Sequence, residues 1–394
     1  MSVPGKDWAA FIAPGATLGV VGGGQLGRMF AHAAQQGGYR VAVLEPDATS
    51  PAGAVADEHL RAAYLDGDAL ARLATSCAAI TTEFENVPAD ALRTLARTRP
   101  VAPGADAVAI CQDRAAEKAA FARAGVACAP HAVLDAATDL EGVAADLLPG
   151  ILKTSRLGYD GKGQRRVDDR ATLASAFAEL GSVACVLEKR LPLVAEISVI
   201  VARSGRGQIV ALPVQENLHR DGILAVTRVP AQVVGTATAA EAIALARRVA
   251  EAIAYVGVLC VEFFVLAGET LVANEMAPRP HNSGHYSMDA CDLSQFDLQV
   301  RAMTGAPLVV PRLHSPAVML NLLGDLWFAG KGGLAAEPPW ASVLALPGVH
   351  LHLYGKREAR LGRKMGHLTL TAASAEVAEA TARAAAAILG IERW

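Results

Sequence analysis

Six consecutive residues, Gly22-Gly23-Gly24-Gln25-Leu26-Gly27, limit the possible folds more than any other part of the chain. They follow a short apolar stretch over 17–21 and precede a helical stretch over 26–36, so they read as a tight strand-to-helix turn. A strand over 41–44, a third over 60–64, a helix over 69–76 and a strand over 78–82 continue the alternation. Such alternation predicts a parallel sheet covered on both faces. The turn fits the G-x-G-x-x-G pattern of dinucleotide sites, with Glu45 at the end of the second strand as the acid for ribose hydroxyls. Two readings stay open: a cradle for a phosphate, or a turn that needs glycine only for backbone room.

From Asp113 the pattern changes. A helix is expected over 114–124, then strands over 151–153, 184–188, 196–202, 209–213 and 259–266, with helices near 171–180 and 241–254. Closely spaced strands with glycine-rich turns point to a largely antiparallel α+β unit. A smaller unit follows Pro307 and Pro311 and ends in an alanine-rich helix over 375–389. The expected domains are 1–112, 113–306 and 307–394, which suits a chain of 394 residues.

Composition excludes several classes. With 52% hydrophobic and 19% charged residues the chain has material for more than one core and is not disordered. A net charge of −3 gives no sequence-independent attraction to nucleic acid. No apolar run approaches the roughly 20 residues of a spanning helix, and no signal peptide is visible. The six cysteines are scattered, without a Cys-x-x-Cys pair, as fits thiols in a reducing cytosol. A cytoplasmic protein without membrane or nucleic-acid partners is expected.

Glu262 and Glu275 carry the most chemical information. A two-residue type II′ turn at Gly268-Glu269 would set the two glutamates directly opposite on one face of a hairpin, whereas a three-residue loop would not. Two anions about 5 Å apart repel by about 3 kcal/mol at an effective dielectric of 20, so something should offset them. Oxygen ligands on rigid strands suit Mg2+ completed by phosphates, and Asn274 adds a neutral oxygen if a bulge turns it inward. The alternative is an exposed hairpin with two solvated acids.

The segment 153–164 runs Lys153-Thr154-Ser155-Arg156-Leu157-Gly158-Tyr159-Asp160-Gly161-Lys162-Gly163-Gln164. It is no Walker loop, because Gln164 stands where lysine is needed. Its three glycines and its cations make a flap able to lie over polyphosphate with amides inward, or a plain polar hairpin tip.

These segments, with Val186-Leu187-Glu188-Lys189, Val261-Glu262-Phe263-Phe264 and Asn274-Glu275-Met276-Ala277-Pro278-Arg279-Pro280-His281-Asn282-Ser283-Gly284-His285, resemble the ATP-grasp superfamily. Segments 22–28, 82–87, 112–114, 215–219 and 362–367 narrow the resemblance to its carboxyaminoimidazole ribonucleotide synthase family. It spans nearly the whole chain and is weakest over 1–14 and 331–349. The fold it implies is a Rossmann-like pre-ATP-grasp domain, a two-lobed ATP-grasp domain and a small C-terminal α+β domain. The activity it implies is ATP-dependent carboxylation of 5-aminoimidazole ribonucleotide by bicarbonate, by a homodimer. By the same resemblance Arg114, Lys153 and the flap residues Gly158, Tyr159, Asp160, Gly161, Lys162, Gly163 and Gln164 hold phosphates. Glu188, Lys189, Arg190 and Leu191 line the adenine pocket, Glu196 takes the ribose with His219 nearby, and Asn274 belongs to the nucleotide site. Glu262 and Glu275 bind Mg2+. Arg279 and His281 hold bicarbonate and carboxyphosphate, Asp160 is the base, and Tyr159 and Glu83 meet the ribonucleotide.

Residues 356–364 hold Lys356, Arg357, Arg360, Arg363 and Lys364 against a single acid, Glu358. Beside a ribonucleotide substrate, Lys356 and Arg363 become candidates for its 5′-phosphate. The competing readings are a nicotinamide-dependent oxidoreductase resting on the glycine turn, another ATP-grasp ligase such as a formate-using glycinamide ribonucleotide transferase or a biotin carboxylase, and a non-catalytic nucleotide-binding module.

Overall fold

The structure, a computed structural model, describes residues 10–158, 163–328 and 336–391. The parallel sheet consists of β1 (Thr17–Val21), β2 (Arg40–Leu44), β3 (Glu58–Leu60) and β4 (Ala79–Thr82) in the order β3-β2-β1-β4. Its inner strands are buried without alternation, as a sheet covered on both faces requires: Leu18, Val20, Val21, Val41, Ala42, Val43 and Leu44 are all fully inaccessible. The unit also contains helices α1 (Gln25–Gln36), α2 (Gly67–Ser76), α3 (Ala89–Ala96) and α4 (Ala105–Cys111). Where the sequence points to a strand over 60–64, the strand is Glu58–Leu60. The ladder ends at Leu60, and Tyr64 turns away to donate its hydroxyl to Glu45 at 2.6 Å.

Helix α5 (Arg114–Arg123) starts at Asp113, whose side chain accepts the amides of Ala115 and Ala116. It precedes an antiparallel sheet of β5 (His131–Leu134), β6 (Gly150–Thr154), β7 (Gln164–Val167) and β8 (Cys185–Lys189), ordered β5-β8-β6-β7. Helix α6 (Arg170–Glu179) covers it through Leu173, Ala176 and Phe177. The flap joins β6 to β7, and Thr154 closes its base by donating to the Gly163 carbonyl at 2.8 Å.

The third sheet has nine strands: β9 (Ala195–Arg203), β10 (Ile209–Ala211), β11 (Gln215–Arg220), β12 (Ile223–Val229), β13 (Gly257–Val265), β14 (Leu271–Ala277), β15 (Ala317–Leu323), β16 (Val349–Leu353) and β17 (Lys364–Thr371). Their order is β14-β13-β9-β11-β12-β15-β17-β16, with β10 beside β9. Helix α7 (Thr236–Ala252) buries Ala242, Leu245, Ala246 and Val249 in the core that also holds Ile197, Val199 and Leu259. Short α8 (Ser287–Ala290) and α9 (Gln295–Thr304) follow the β14 loop, and α9 begins in a capping box between Ser294 and Asp297. Helices α10 (Trp340–Leu344) and α11 (Ala375–Leu389) complete the chain, α11 ending at Gly390 with φ 71°.

The smaller C-terminal unit does not make a sheet of its own. Strand β15 pairs antiparallel with β12, from Val226↔Leu320 to Val229↔Ala317, and Val226 shares a core with Val318, Leu320, Leu368 and α11. Among the described residues, no helix is long and apolar enough to cross a membrane.

Candidate active site

The hairpin that carries the two glutamates is built differently from the two-residue turn expected of it. Ala267–Glu269 form a three-residue 3-10 turn with Gly268 at φ 73° and Glu269 at φ 57°, and Val265 pairs with Leu271. That register alone would set Glu262 opposite Asn274. A β-bulge then intervenes: Phe263 pairs with Ala273 but Val261 pairs with Met276, so Asn274 and Glu275 together oppose Glu262. The two acids meet after all, and Asn274 is turned in beside them, its amide donating to Glu262 Oε2 at 3.4 Å. Asn274 Oδ1 is buried and has no protein partner.

Burial, and next the charge of Glu275, push the Glu262 carboxyl up to about 7. Glu275 moves the other way. Burial opposes its ionisation, but Arg114, 3.2 Å from its Oε2, and Lys153 outweigh that and lower its pKa. Behind them lies a buried charge cluster. Glu188 sits between Lys153 at 2.9 Å and Lys118 at 3.2 Å, and Lys118 also donates to the Asn274 carbonyl at 2.6 Å. Against the effect of burial, the two ammonium groups bring Glu188 down to about 2. Burial lowers the pKa of Lys153 itself. On the neighbouring strands His219 meets Glu196 at 2.9 Å; burial opposes its protonation, but that bond and then the charge of Glu262 raise it to about 9.

His281 ties this cluster of acids to the loop after β14. Its Nε2 lies 3.3 Å from Glu262 Oε1, and its Nδ1 accepts the Ser283 amide at 3.3 Å and lies 2.8 Å from the Ser283 hydroxyl. Arg279 is ion-paired with Glu85 from the parallel-sheet unit, and Glu85 outweighs the effect of burial to keep the guanidinium charged. Lys364 adds a positive field at both Glu85 and His281. In the cation cluster Lys356 donates to the Lys364 carbonyl at 2.6 Å and lies over the Tyr354 ring, while Arg363 donates to the Glu358 carbonyl at 2.9 Å.

The glycine turn is occupied by its own chain. Glu83 Oε2 accepts the Gly27 amide at 3.2 Å, and Glu45 accepts the Gly23 amide at 2.8 Å. A Cβ on Gly24 would stand 2.6 Å from Glu83 Oε1, and one on Gly23 would overlap Glu45. These glycines therefore make room for two carboxylates, which favours backbone room over a phosphate cradle.

The structure gathers Arg114, Lys153, Glu188, Glu262, Asn274, Glu275 and the Glu196–His219 pair into one region, joined through His281 and Arg279 to Glu85. Lys189 ends β8, Arg190 beyond it lies 3.6 Å from Asp168, and Leu191 follows. Gly158, Gly163 and Gln164 border the flap, while Tyr159, Asp160, Gly161 and Lys162 lie outside the described residues. Sequence reasoning missed Glu117, Lys118 and Glu85. The first two carried a signal: with Arg114 they put three charges at helical spacing on the alanine-rich α5, which buries Glu117 and Lys118.

Models of the ribonucleotide synthetase preATP-grasp domain, the ATP-grasp domain and the phosphoribosylaminoimidazole carboxylase C-terminal domain match residues 15–112, 119–296 and 317–381. The N5-carboxyaminoimidazole ribonucleotide synthase of Brucella melitensis is 45% identical over 362 residues, covering 90% of this chain and 96% of the relative. The chain belongs to the N5-carboxyaminoimidazole ribonucleotide synthase family. Solved structures of this synthase family agree. The Staphylococcus aureus synthetase complexed with ADP has a TM-score of 0.87 and 39% identity, covering 95% of this chain and 98% of that one. The Aspergillus clavatus synthase in complex with ADP and 5-aminoimidazole ribonucleotide has a TM-score of 0.86 and 30% identity, covering 98% and 100%.

Proposed function

We propose that this chain carboxylates the amino group of 5-aminoimidazole ribonucleotide with bicarbonate, converting ATP to ADP and phosphate, in purine biosynthesis. The observation that carries this reading is the bulged hairpin. It sets Glu262, Asn274 and Glu275 beside Arg114 and, through His281, beside Arg279. The donor set fits Mg2+: two carboxylates and a buried amide oxygen without a protein partner, all hard oxygen ligands. Bound there with ATP, the ion would shield the charge of the phosphates.

The chain's own groups do the rest. Arg114 and Lys153 hold the phosphates, with Gly158, Gly163 and Gln164 at the borders of the covering flap. Glu188, Lys189, Arg190 and Leu191 border the adenine pocket, and Glu196 with His219 takes the ribose. Arg279 and His281 hold bicarbonate and the carboxyphosphate made from it, fixed in place by Glu85 and Ser283. A closed flap keeps water from that short-lived species. Glu83 contacts the imidazole ribonucleotide, and Lys356 and Arg363 grip its 5′-phosphate. The assignment of Asp160 as base, Tyr159 as orienting group and the flap's Gly161 and Lys162 as phosphate contacts rests on the family resemblance, as does a homodimer. Six free cysteines fit a cytoplasmic setting.

The test is phosphate release from ATP, with the ribonucleotide and bicarbonate each supplied or withheld. Stimulation that needs both is expected. Release indifferent to the ribonucleotide would overturn the substrate assignment and leave another ATP-grasp ligase.

A further inference from the structure

His281 follows Pro280 in an extended conformation, φ −118° and ψ 154°, between strand β14 and a single 3-10 turn. An extended residue exposes its N–H and C=O as a strand edge would, and both must be satisfied if they are buried. Here a side chain satisfies both. The His281 amide donates to Gln295 Oε1 at 2.7 Å, and Gln295 Nε2 donates to the His281 carbonyl at 2.8 Å. Gln295, at the first position of α9, is fully inaccessible, and its own amide donates to Ser287 Oγ at 3.0 Å.

Because a backbone N–H only donates and a carbonyl only accepts, the amide orientation of Gln295 is forced. Its second Nε2 hydrogen points to His285 Nδ1 at 3.0 Å. That nitrogen must therefore accept, so His285 is neutral with its proton on Nε2. The ring of His285 is itself held between Phe296, at 5.9 Å between centroids, and His367, at 4.7 Å. Close approach requires the intervening Gly284, where a Cβ would stand 2.5 Å from Gln295 Oε1.

We propose that Gln295, locked by His285, is the positioning residue that fixes the main chain of His281 and so sets the histidine's place beside Glu262 and Ser283. This deepens the proposed function and rests on it for its kinetic consequence. Gln295 touches no reacting atom; it acts only through His281. The Gly284 amide also donates to the His281 carbonyl, at 3.0 Å, so Gln295 alone supplies the acceptor for the His281 amide and the tie to α9. Losing that tie frees the loop to shift, and a misplacement of about 1 Å costs on the order of 100-fold in rate.

Two measurements test the clamp. The first needs no activity: nitrogen-15 NMR of histidine-labelled protein, with the His285 signal identified by its loss in His285→Asn. A neutral ring protonated on Nε2 is expected, with the proton moving to Nδ1 in Gln295→Glu, whose carboxylate offers only acceptors. A proton on Nδ1 in the unsubstituted protein would overturn the clamp. The second is kinetic. Gln295→Ala is expected to lower kcat by about 10- to 100-fold and raise the KM for bicarbonate, with the KM for ATP within about twofold. Unchanged kinetics with only a lowered Tm would reduce Gln295 to a structural residue. Absence of ribonucleotide-stimulated turnover in the unsubstituted protein would refute the function instead, and the NMR result would then decide the clamp alone.

Discussion

Glu83 lays its carboxylate over the first turn of α1, where its Oε2 accepts the Gly27 amide at 3.2 Å. The amides at the positive end of that helix are thus already met by a carboxyl group of the same chain. Burial, the largest influence on Glu83, raises its pKa, while the helix amides and Arg279 work to keep it charged. A dinucleotide pyrophosphate would have to displace it. Gly24→Ala, whose Cβ would press on Glu83 Oε1, is expected to raise the KM for the ribonucleotide about tenfold and leave that for ATP unchanged. Steady-state kinetics with each substrate varied in turn check this. An equal effect on both would place Glu83 outside the ribonucleotide site.

Glu275→Gln keeps the size and the bulge but removes one of the paired charges. Turnover should fall on the order of 100-fold or more while the circular dichroism spectrum stays unchanged. Normal activity in this variant would refute the magnesium assignment.

Among the described residues, Glu188 is the sole carboxylate within 4 Å of two buried ammonium groups, those of Lys118 and Lys153. Its replacement by glutamine strands both. Unfolding in urea should show a loss of about 3–5 kcal/mol, since removing one partner of a buried ionic cluster leaves charge uncompensated. A loss below about 1 kcal/mol would mean that the buried cluster does not depend on the Glu188 charge.

His219 has a pH signature. Folding raises it from the usual histidine value to about 9, so the native state binds the proton more tightly than the unfolded chain does. Its contribution is therefore complete below about pH 6.5 and is lost as pH rises through about 9, on the order of 3 kcal/mol. Urea midpoints measured across that range without nucleotide should fall, and His219→Gln should flatten the fall. Parallel curves for the two proteins would contradict the Glu196–His219 pairing.

Arg363→Ala should raise the KM for the ribonucleotide far more than that for ATP, by about tenfold, because a forked donor to phosphate is lost. Equal changes would mark the 356–364 cluster as structural.

Much of this was legible from residue order. The alternation over 17–82 fixed the parallel unit because each element is short, local and bounded by glycine or a capping residue. The meeting of Glu262 with Glu275 was also legible, but for the wrong reason. Hairpin arithmetic assumes an uninterrupted ladder, and here a three-residue loop and a one-residue bulge cancel. Neither leaves a plain mark in Ala267-Gly268-Glu269. The glycine pattern at 22–27 marked close approach without saying what approaches, because Glu83 arrives from a strand some 60 residues on. Gln295 was invisible for the same reason: its partners lie in a loop, and nothing in its own helix distinguishes it from a polar first-turn residue.

The pairing of β12 with β15 bears on how the chain could be divided. Three family models meet it as separable segments, yet the hydrogen-bond ladder from the glutamate strands to the strand that carries Lys364 is unbroken. Cutting after residue 306 would strip β12 of a neighbour and leave an open edge with Val226 and Val229 uncovered. Such a fragment would be expected to seek another strand and aggregate. The same continuity makes the sheet a ruler: the spacing between the Glu262–Glu275 hairpin and the strand that carries Lys364 is set by backbone hydrogen bonds rather than by a linker.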